Sequence, residues 1–202
     1  MTSGPYPLRC LAGALCALLF LSVPSRPASA PGANPLTSIL IVARHGLPDP
    51  NFADAIVLVM NNLALGPVGI IINRPTSIPV SRLLPDFKRL AQVPDKAYFG
   101  GPVDPQAVWF LFRAAGPPKH AVRACEGVYL SADRQLLLEL LTREKPMEGL
   151  RIYVGHAGWA PGQLEGEIER HDWTPRRADA EAIFSGKSDR PWPPGGGPGL
   201  ST

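Results

Sequence analysis

The sequence predicts a single α/β or α+β domain whose mixed sheet is covered on both faces or curled on itself. In this chain of 202 residues, short apolar runs rich in β-branched or aromatic residues alternate with helical stretches. Most of these runs are apolar on both faces, which is typical of strands buried on both sides. A short connection, NNLALGP at 61–67, favours an antiparallel hairpin and therefore a mixed sheet.

Six strands and one long helix follow from these patterns. The strands cover Ser38 to Ala43, Ala55 to Met60, Val68 to Ile72, Val108 to Phe112, Gly127 to Ser131 and Leu150 to Val154. The helix covers Ala132 to Thr142, where a leucine cluster recurs at helical spacing and faces the core. Ser131 or Asp133 is expected near its start.

A second helix is predicted in the last third of the domain. Pro161 suits the first helical position, which leaves Ala160 as the cap residue. The Gln163 amide can then reach back to the N–H of the cap, as one half of a capping box. Leu164 and Ile168, four residues apart, supply the stripe that this helix buries.

Glycine and proline divide the chain into three parts. They number 20 and 24 and concentrate near the two ends, which leaves an ordered domain over about 36–185. Residues 186–202 are expected to form a flexible Pro/Gly-rich tail, because PWPPGGGPGLST cannot bury enough apolar surface to offset chain entropy.

Residues 1–32 have the pattern of a secretory signal. An uncharged run from Leu11 to Val23 follows Arg9 and precedes small residues. The run is shorter than the ~20 residues that a helix needs to span a bilayer, so a signal is favoured over a permanent membrane helix. Pro31 would follow a cleavage after Ala30, where its missing N–H and fixed φ are unfavourable. We therefore expect a periplasmic or secreted protein whose segment is removed as a signal peptide or retained as an anchor.

The charge balance argues against a nucleic-acid partner. The chain carries 20 basic and 17 acidic side chains, and its first thirty residues contribute Arg9, Arg26 and no acid, which leaves 18 against 17. A nearly neutral body lacks the electrostatic surface that binds nucleic acids. Removal of the signal leaves Cys125 without a partner for a disulfide, and we expect it to be a small buried hydrophobe.

One triplet suggests phosphoryl chemistry. Arg44, His45 and Gly46 directly follow a predicted strand, and His156 follows a later one. A histidine phosphatase places a nucleophilic histidine at a strand end, with arginine on the phosphate and a second histidine nearby. No motif ties further arginines to the triplet, so the sequence assigns no catalytic residue and keeps this interpretation as the alternative.

The sequence predicts no metal site and no cofactor. The four histidines lack the pairing and the cysteine partners that zinc sites use. No Walker or dinucleotide fingerprint is present, because the glycines of GPVGIIINRP lie inside a strand pattern. The glycines of Gly100 to Pro102 could form an anion-binding nest, although a tight turn explains them more readily.

Five strings, taken together and in order, resemble the AlgH/YqgE family. They span about 37–184, and GW-x-PGQLE-x-E is the most specific part. The strings are Leu47 to Phe52 (LPDPNF), Gly66 to Pro75 (GPVGIIINRP), Gly100 to Val103 (GGPV), the S-x-D start at Ser131 to Asp133, and Gly155 to Trp173 (GHAGWAPGQLEGEIERHDW).

The resemblance implies a compact fold with a bifurcated sheet curled into a pseudo-barrel and flanked by helices. It implies no established reaction, and a role in regulating transcription has been attached to some members. It also accounts for both histidine-bearing segments without a phosphatase fold. Because members usually lack a signal sequence, that regulatory role is not carried over to an exported chain.

Candidate binding residues lie at predicted strand ends, where α/β folds place ligands. They are Asn73, Arg74, Gly100, Gly101, Pro102, Gly158, Trp159 and Gln163. The alternative is that Trp159 packs as a core aromatic while the glycines only permit turns. In that case Trp159→Ala should cost about 3 to 5 kcal/mol, and Arg74→Ala should be nearly neutral.

The sequence therefore predicts an exported binding or regulatory interaction module. Its partner is a protein or a small molecule, without nucleic acid, and it contacts a membrane only if the N-terminal segment stays uncleaved. A histidine-phosphatase-like phosphohydrolase that uses Arg44, His45 and Gly46 is the alternative function.

Overall fold

Ten strands frame the domain in the computed structural model, which describes residues 38–184 apart from 62, 64 and 65. The strands are β1 (Ser38–Ala43), β2 (Ile56–Met60), β3 (Val68–Ile71), β4 (Pro75–Pro79), β5 (Lys96–Phe99), β6 (Val103–Arg113), β7 (Val122–Cys125), β8 (Val128–Ser131), β9 (Leu150–Gly158) and β10 (Trp173–Arg177). The helices are α1 (Val80–Leu83), a 3-10 helix (Lys88–Gln92), α2 (Arg134–Leu141), α3 (Gln163–Glu169) and α4 (Ala180–Phe184). The predicted signal segment and the predicted tail at 186–202 lie outside the described residues.

The sheet is mixed and curled, as the sequence predicts. Its main path runs β10-β1-β2-β3-β9-β6-β8-β7, and β5 joins β4 to β9. The β5–β9 pair is parallel, whereas the other pairs are antiparallel, including the β2–β3 hairpin. The hydroxyl of Ser38 on β1 donates to the carbonyl of Ala124 on β7. This contact links β7, at one end of the main path, to β1 near the other end, so the sheet forms a half-barrel and the predicted fold class is confirmed.

Both faces of the central strands are buried. On β2, Leu58 faces the half-barrel interior, while Val57 and Val59 belong to a second cluster outside it. On β6, Leu111 faces the interior and Phe110 packs with α2 on the outer face. This double burial is the physical reason why the strand sequences are apolar throughout rather than alternating.

The predicted strands all exist, but four strands are not predicted from the sequence. These are β4, β5, β7 and β10, strands of four or five residues, of which β4 and β10 are mostly exposed. Proline in β4 and β10 is typical of edge positions that need no ladder N–H, and it obscures the strand pattern. β6 and β9 are longer than predicted. In β6, the polar residues and Pro105 of the first half hide the strand pattern.

Helix α2 confirms its predicted cap. The Asp133 carboxylate accepts the N–H of Leu136 at 2.7 Å. The Ser131 hydroxyl accepts the N–H of Asp133 at 3.0 Å and donates to the His120 carbonyl at 2.6 Å. Both candidate residues of the S-x-D start therefore fix the first turn.

Helix α3 begins later than predicted, because Pro161 and Gly162 form a turn in front of it. Gly162 has φ +80°, a left-handed conformation that excludes it from the helix, so the first helical residue is Gln163. The predicted back-bond nevertheless exists, since Gln163 Oε1 accepts the Ala160 N–H at 3.1 Å. Leu164 is buried, as predicted.

Cys125 lies in the half-barrel interior, and only 4% of its surface is exposed. Burial raises the pKa of its thiol, and the nearby Asp179 carboxylate adds to the effect. Within the described part of the chain, no helix is long and apolar enough to cross a membrane.

We expect the Cys125 thiol to alkylate slowly in the folded protein, because the thiolate is the nucleophile and burial disfavours it. Iodoacetamide labelling at pH 8 followed by mass spectrometry of the Cys125 peptide measures the rate. The same reaction in denaturant is the control and should be at least about tenfold faster. Equal rates would show that the thiol is accessible in the native state.

Candidate functional site

Two tryptophans and a glutamine converge on the carboxylate of Glu167. Trp159 Nε1 and Trp173 Nε1 both donate to Oε2, at 2.9 and 2.8 Å. Gln163 Nε2 donates to Oε1 at 2.9 Å. Phe52 packs against the two indole rings, with ring centroids 6.1 Å from Trp159 and 5.6 Å from Trp173. The most specific string of the sequence therefore forms an aromatic cluster around one hydrogen-bonded carboxylate.

The burial of Trp159 favours the packing interpretation for this candidate residue. Only 6% of its surface is exposed, and its indole N–H is satisfied by Glu167. Gln163 is exposed, but its side-chain amide is hydrogen-bonded to the Glu167 carboxylate and to the Ala160 N–H. Gly158 is exposed at the end of β9.

Asn73 and Arg74 hold the loop that joins β1 to β2. Asn73 is buried, and its amide accepts the N–H of Ile56 at 2.8 Å and donates to the carbonyl of Asp54 at 3.0 Å. Arg74 donates to the carbonyls of Asn51 and Ala53, at 2.7 and 2.8 Å. Two strings that are distant in the sequence, LPDPNF and the NRP of GPVGIIINRP, are thus hydrogen-bonding partners.

Burial lowers the pKa of the Arg74 guanidinium, although the Asp54 and Asp49 carboxylates act in the opposite direction. Its carbon Cζ also lies 5.7 Å from the centroid of the Phe99 ring. Because the Arg74 side chain is partly buried and bonded to two carbonyls, we expect Arg74→Ala to destabilise the domain rather than to be nearly neutral.

Arg74→Ala should lower the free energy of unfolding by about 2 kcal/mol, since two backbone acceptors lose a charged donor. Urea denaturation followed by circular dichroism measures the change. Arg82→Ala is the matched control, because Arg82 is exposed on α1, and it should stay within about 0.5 kcal/mol of the wild type. Equal values for the two variants would contradict a stabilising role of Arg74.

Gly100, Gly101 and Pro102 lie where the chain passes from β5 to β6 beside β9. A side chain at Gly100 would overlap the Gly155 carbonyl, and one at Gly101 would overlap the backbone of His156. The Gly100 carbonyl accepts the Ile71 N–H at 2.8 Å. The strings GGPV and GHAGW are therefore in direct backbone contact, which explains both glycines by close packing.

The Arg44, His45 and His156 arrangement lacks the features of a phosphatase site. Arg44 Nε donates to Asp172 Oδ1 at 3.0 Å, and His45 is exposed with its Nδ1 3.8 Å from Asp54 Oδ1. Two carboxylates beside the triplet would repel a phosphate. His156 lies on β9 with its ring 5.6 Å from that of Trp109, and none of the contacts found among the described residues joins it to His45.

A groove of about 760 Å³ lies beside α4, in the size range of small-molecule sites. We call it the α4 groove. It is lined by Pro75, Pro94, Asp95, Lys96, Tyr98, Arg113, Met147, Glu148, Gly149, Leu150, Arg151 and Phe184. Within the described residues, no group of three or more histidine, cysteine or acidic side chains is placed to hold a metal ion.

Two arginines stack on aromatic rings in this groove. Arg113 Cζ lies 4.9 Å from the centroid of the Phe184 ring, and Arg151 Cζ lies 5.0 Å from that of Tyr98. Arg151 also donates to the carbonyls of Ile183 and Phe184 at 2.7 and 3.3 Å, which fixes the end of α4. The groove thus combines positive charge with flat apolar surface, an arrangement that suits cation–π contacts.

The sequence analysis does not find this site. Among the residues that line the groove, only Pro75, at the edge of one string, belongs to the five strings. The available signal is Arg151, a charged residue within the apolar strand LRIYV. It pairs across the sheet with Leu111 of β6, the strand that carries Arg113.

The described residues form a mixed α/β domain in which a curled sheet carries a groove beside α4. The family model described as AlgH-like (DUF179) matches residues 39–194, and the chain belongs to this family. A UPF0301 protein from Anaeromyxobacter dehalogenans is 33% identical over 162 residues, which are 75% of this chain and 82% of the relative. A UPF0301 protein from Mycobacterium leprae is 32% identical over 161 residues, 76% of this chain and 77% of the relative.

Two solved structures are similar to the domain. The solution structure of the AlgH protein from Pseudomonas aeruginosa has a TM-score of 0.61 and 26% identity, covering 76% of this chain and 84% of that one. A crystal structure of a protein from Corynebacterium diphtheriae shares the fold, with a TM-score of 0.58 and 24% identity over 76% of this chain and 81% of that one. Membership of this family does not support the histidine-phosphatase alternative.

Proposed function

We propose that this AlgH-like protein is a binding module that holds a small molecule in the α4 groove. The observation that carries the proposal is the pairing of two guanidinium groups with two aromatic rings inside one ligand-sized concavity. Ligand sites are concave and combine apolar or aromatic surface with placed polar groups. The five strings, by contrast, are occupied with contacts that hold the fold together.

The groove is supported by ordered elements on each side. β9 supplies Arg151, β6 supplies Arg113, and β5 supplies Tyr98. The Phe184 ring comes from α4, whose last carbonyls are bonded by Arg151. A site built on strands is held more rigidly than one built on loops, which favours binding of a defined ligand.

The test is a titration with 8-anilinonaphthalene-1-sulfonate, which carries an aromatic system and an anion. We expect saturable binding, with backbone amide shifts in the NMR spectrum that concentrate at Tyr98, Leu150 and Phe184. Phe184→Ala should weaken the binding at least about fivefold through the lost ring contact. Phe87→Ala is the matched control, since Phe87 is also partly buried but packs in the α2 cluster.

Shifts that spread over the outer face of the sheet, or equal affinities of the two variants, would refute the groove as the site. Thermal melting of both variants shows whether a change in affinity reflects a loss of folding. Sulfonate binding by a partly unfolded chain would appear as non-saturable fluorescence in all samples.

We also propose that the protein is exported to the periplasm or the medium. Support comes from the uncharged run Leu11 to Val23 behind Arg9, which has the composition of a signal segment. Fractionation of a C-terminally tagged chain measures the location, and mass spectrometry shows whether cleavage occurs before or after Pro31. Recovery of the intact chain only from the soluble cytoplasm would contradict export.

A further inference from the structure

We infer that the ligand of the α4 groove is an aromatic monoanion, a flat ring system bearing one carboxylate, and that Arg113 selects for its charge. This inference rests on the proposed function of the groove and adds the chemical class of the ligand. It is carried by the different states of the two arginines and by the charges around them.

Arg113 is the arginine with hydrogen-bonding capacity to spare. Its Nη2 donates to the Ala180 carbonyl at 3.2 Å, and within the described part of the chain this is the one hydrogen bond of its guanidinium. A guanidinium carries five N–H donors in a planar fork that matches a carboxylate. Arg151, in contrast, uses Nη1 and Nη2 on the carbonyls of α4, so it positions the helix.

The charges of the groove favour a single negative charge on the ligand. Three cations, Lys96, Arg113 and Arg151, face two acids, Asp95 and Glu148. The Glu148 carboxylate lies 3.7 Å from Lys145 Nζ, a lysine outside the groove, which compensates part of its charge. The lining therefore has a modest positive excess, which fits a monoanion better than a neutral or a cationic ligand.

The aromatic surface accounts for the ring of the ligand. Phe184 lies beneath the Arg113 guanidinium, and Tyr98 lies beneath that of Arg151. A flat ligand ring that enters the groove contacts the Phe184 and Tyr98 rings, which already stack with the two guanidinium groups. The ligand carboxylate then reaches Arg113. Both parts of the ligand are needed for the affinity that we expect.

The experiment compares two ligands of the same shape, naphthalene-1-carboxylate and naphthalene-1-carboxamide, by isothermal titration calorimetry with the full chain. The carboxylate should bind at least about tenfold more tightly than the amide, which corresponds to about 1.4 kcal/mol. In Arg113→Gln this ratio should fall to about twofold or less, and in Arg113→Lys, which keeps the charge but not the fork, it should be intermediate. Arg123→Gln, on β7 outside the groove, should leave the ratio unchanged.

The outcomes separate this inference from the function on which it rests. Equal binding of the two ligands to the groove would overturn the anionic class and leave the binding module standing. Failure of both ligands to bind, together with failure of the sulfonate probe, would overturn the binding module as well. A ratio that persists in folded Arg113→Gln would remove Arg113 as the selecting residue, and melting curves establish that the variant is folded.

Discussion

Replacing Glu167 with alanine should destabilise the domain by about 3 to 5 kcal/mol, a large share of the stability of a domain of this size. The carboxylate accepts the indole N–H groups of Trp159 and Trp173, and both tryptophans are buried. Each buried donor left without an acceptor costs about 1 to 3 kcal/mol. Chemical denaturation monitored by tryptophan fluorescence measures the change directly, because Trp159 and Trp173 are themselves fluorescent and lose their hydrogen bonds in the variant.

Two further variants sharpen this test. Glu169→Ala removes an exposed acid from the same helix and should change the free energy of unfolding by less than about 0.5 kcal/mol. Glu167→Gln keeps an acceptor oxygen and should lie between the wild type and the alanine variant. If Glu167→Ala were as stable as Glu169→Ala, the aromatic cluster would have to be held by ring packing alone.

Gly101→Ala should prevent stable folding or cost about 3 to 5 kcal/mol. The backbone of Gly101 has φ +151°, a conformation that other residues rarely adopt, and a Cβ there would overlap the backbone of His156. Backbone strain costs about 1 to 3 kcal/mol, and an overlap with backbone atoms adds a comparable amount because neither strand can move freely.

Gly116→Ala serves as the control for this substitution. Apart from its own residue and the two chain neighbours, no atom lies within 4 Å of a Cβ built on Gly116, so the variant should melt close to the wild type. Differential scanning calorimetry of the two variants gives the comparison. A small shift for Gly101→Ala would mean that β5 and β9 can separate locally, and the contact between the two glycine strings would then not be required for the fold.

The sequence predicts the fold well wherever burial determines the residue pattern. β1 has its predicted bounds, and β2 and β3 differ by one residue each, since strands buried on two faces must be apolar throughout. Three of the strands that were not predicted, β4, β7 and β10, lie at edges of the sheet, where proline and polar residues carry no periodic signal, and β5 is only four residues long. The late start of α3 depends on the left-handed backbone of Gly162, which the helical pattern does not reveal.

The candidate site is harder to predict because its residues come from distant positions. Arg113 and Phe184 meet only after β6 and α4 have packed together, and no spacing in the chain indicates this contact. The strings that are most recognisable in the sequence, such as the one around Trp159, are recognisable because packing restricts them. A residue proposed to bind a ligand, such as the exposed Arg113, is not subject to that restriction.

The pairing of β1 with β10 has a consequence for how the chain folds. These strands come from opposite ends of the domain and are aligned from Ile39 with Arg177 to Ala43 with Trp173. A nascent chain cannot complete this ladder until the codons for β10 have been translated. Proteins dominated by such non-local pairings have high contact order and fold in milliseconds to seconds rather than microseconds. The domain therefore cannot finish folding before β10 has been synthesised, and until then the β1 edge that pairs with β10 stays open and requires protection from aggregation.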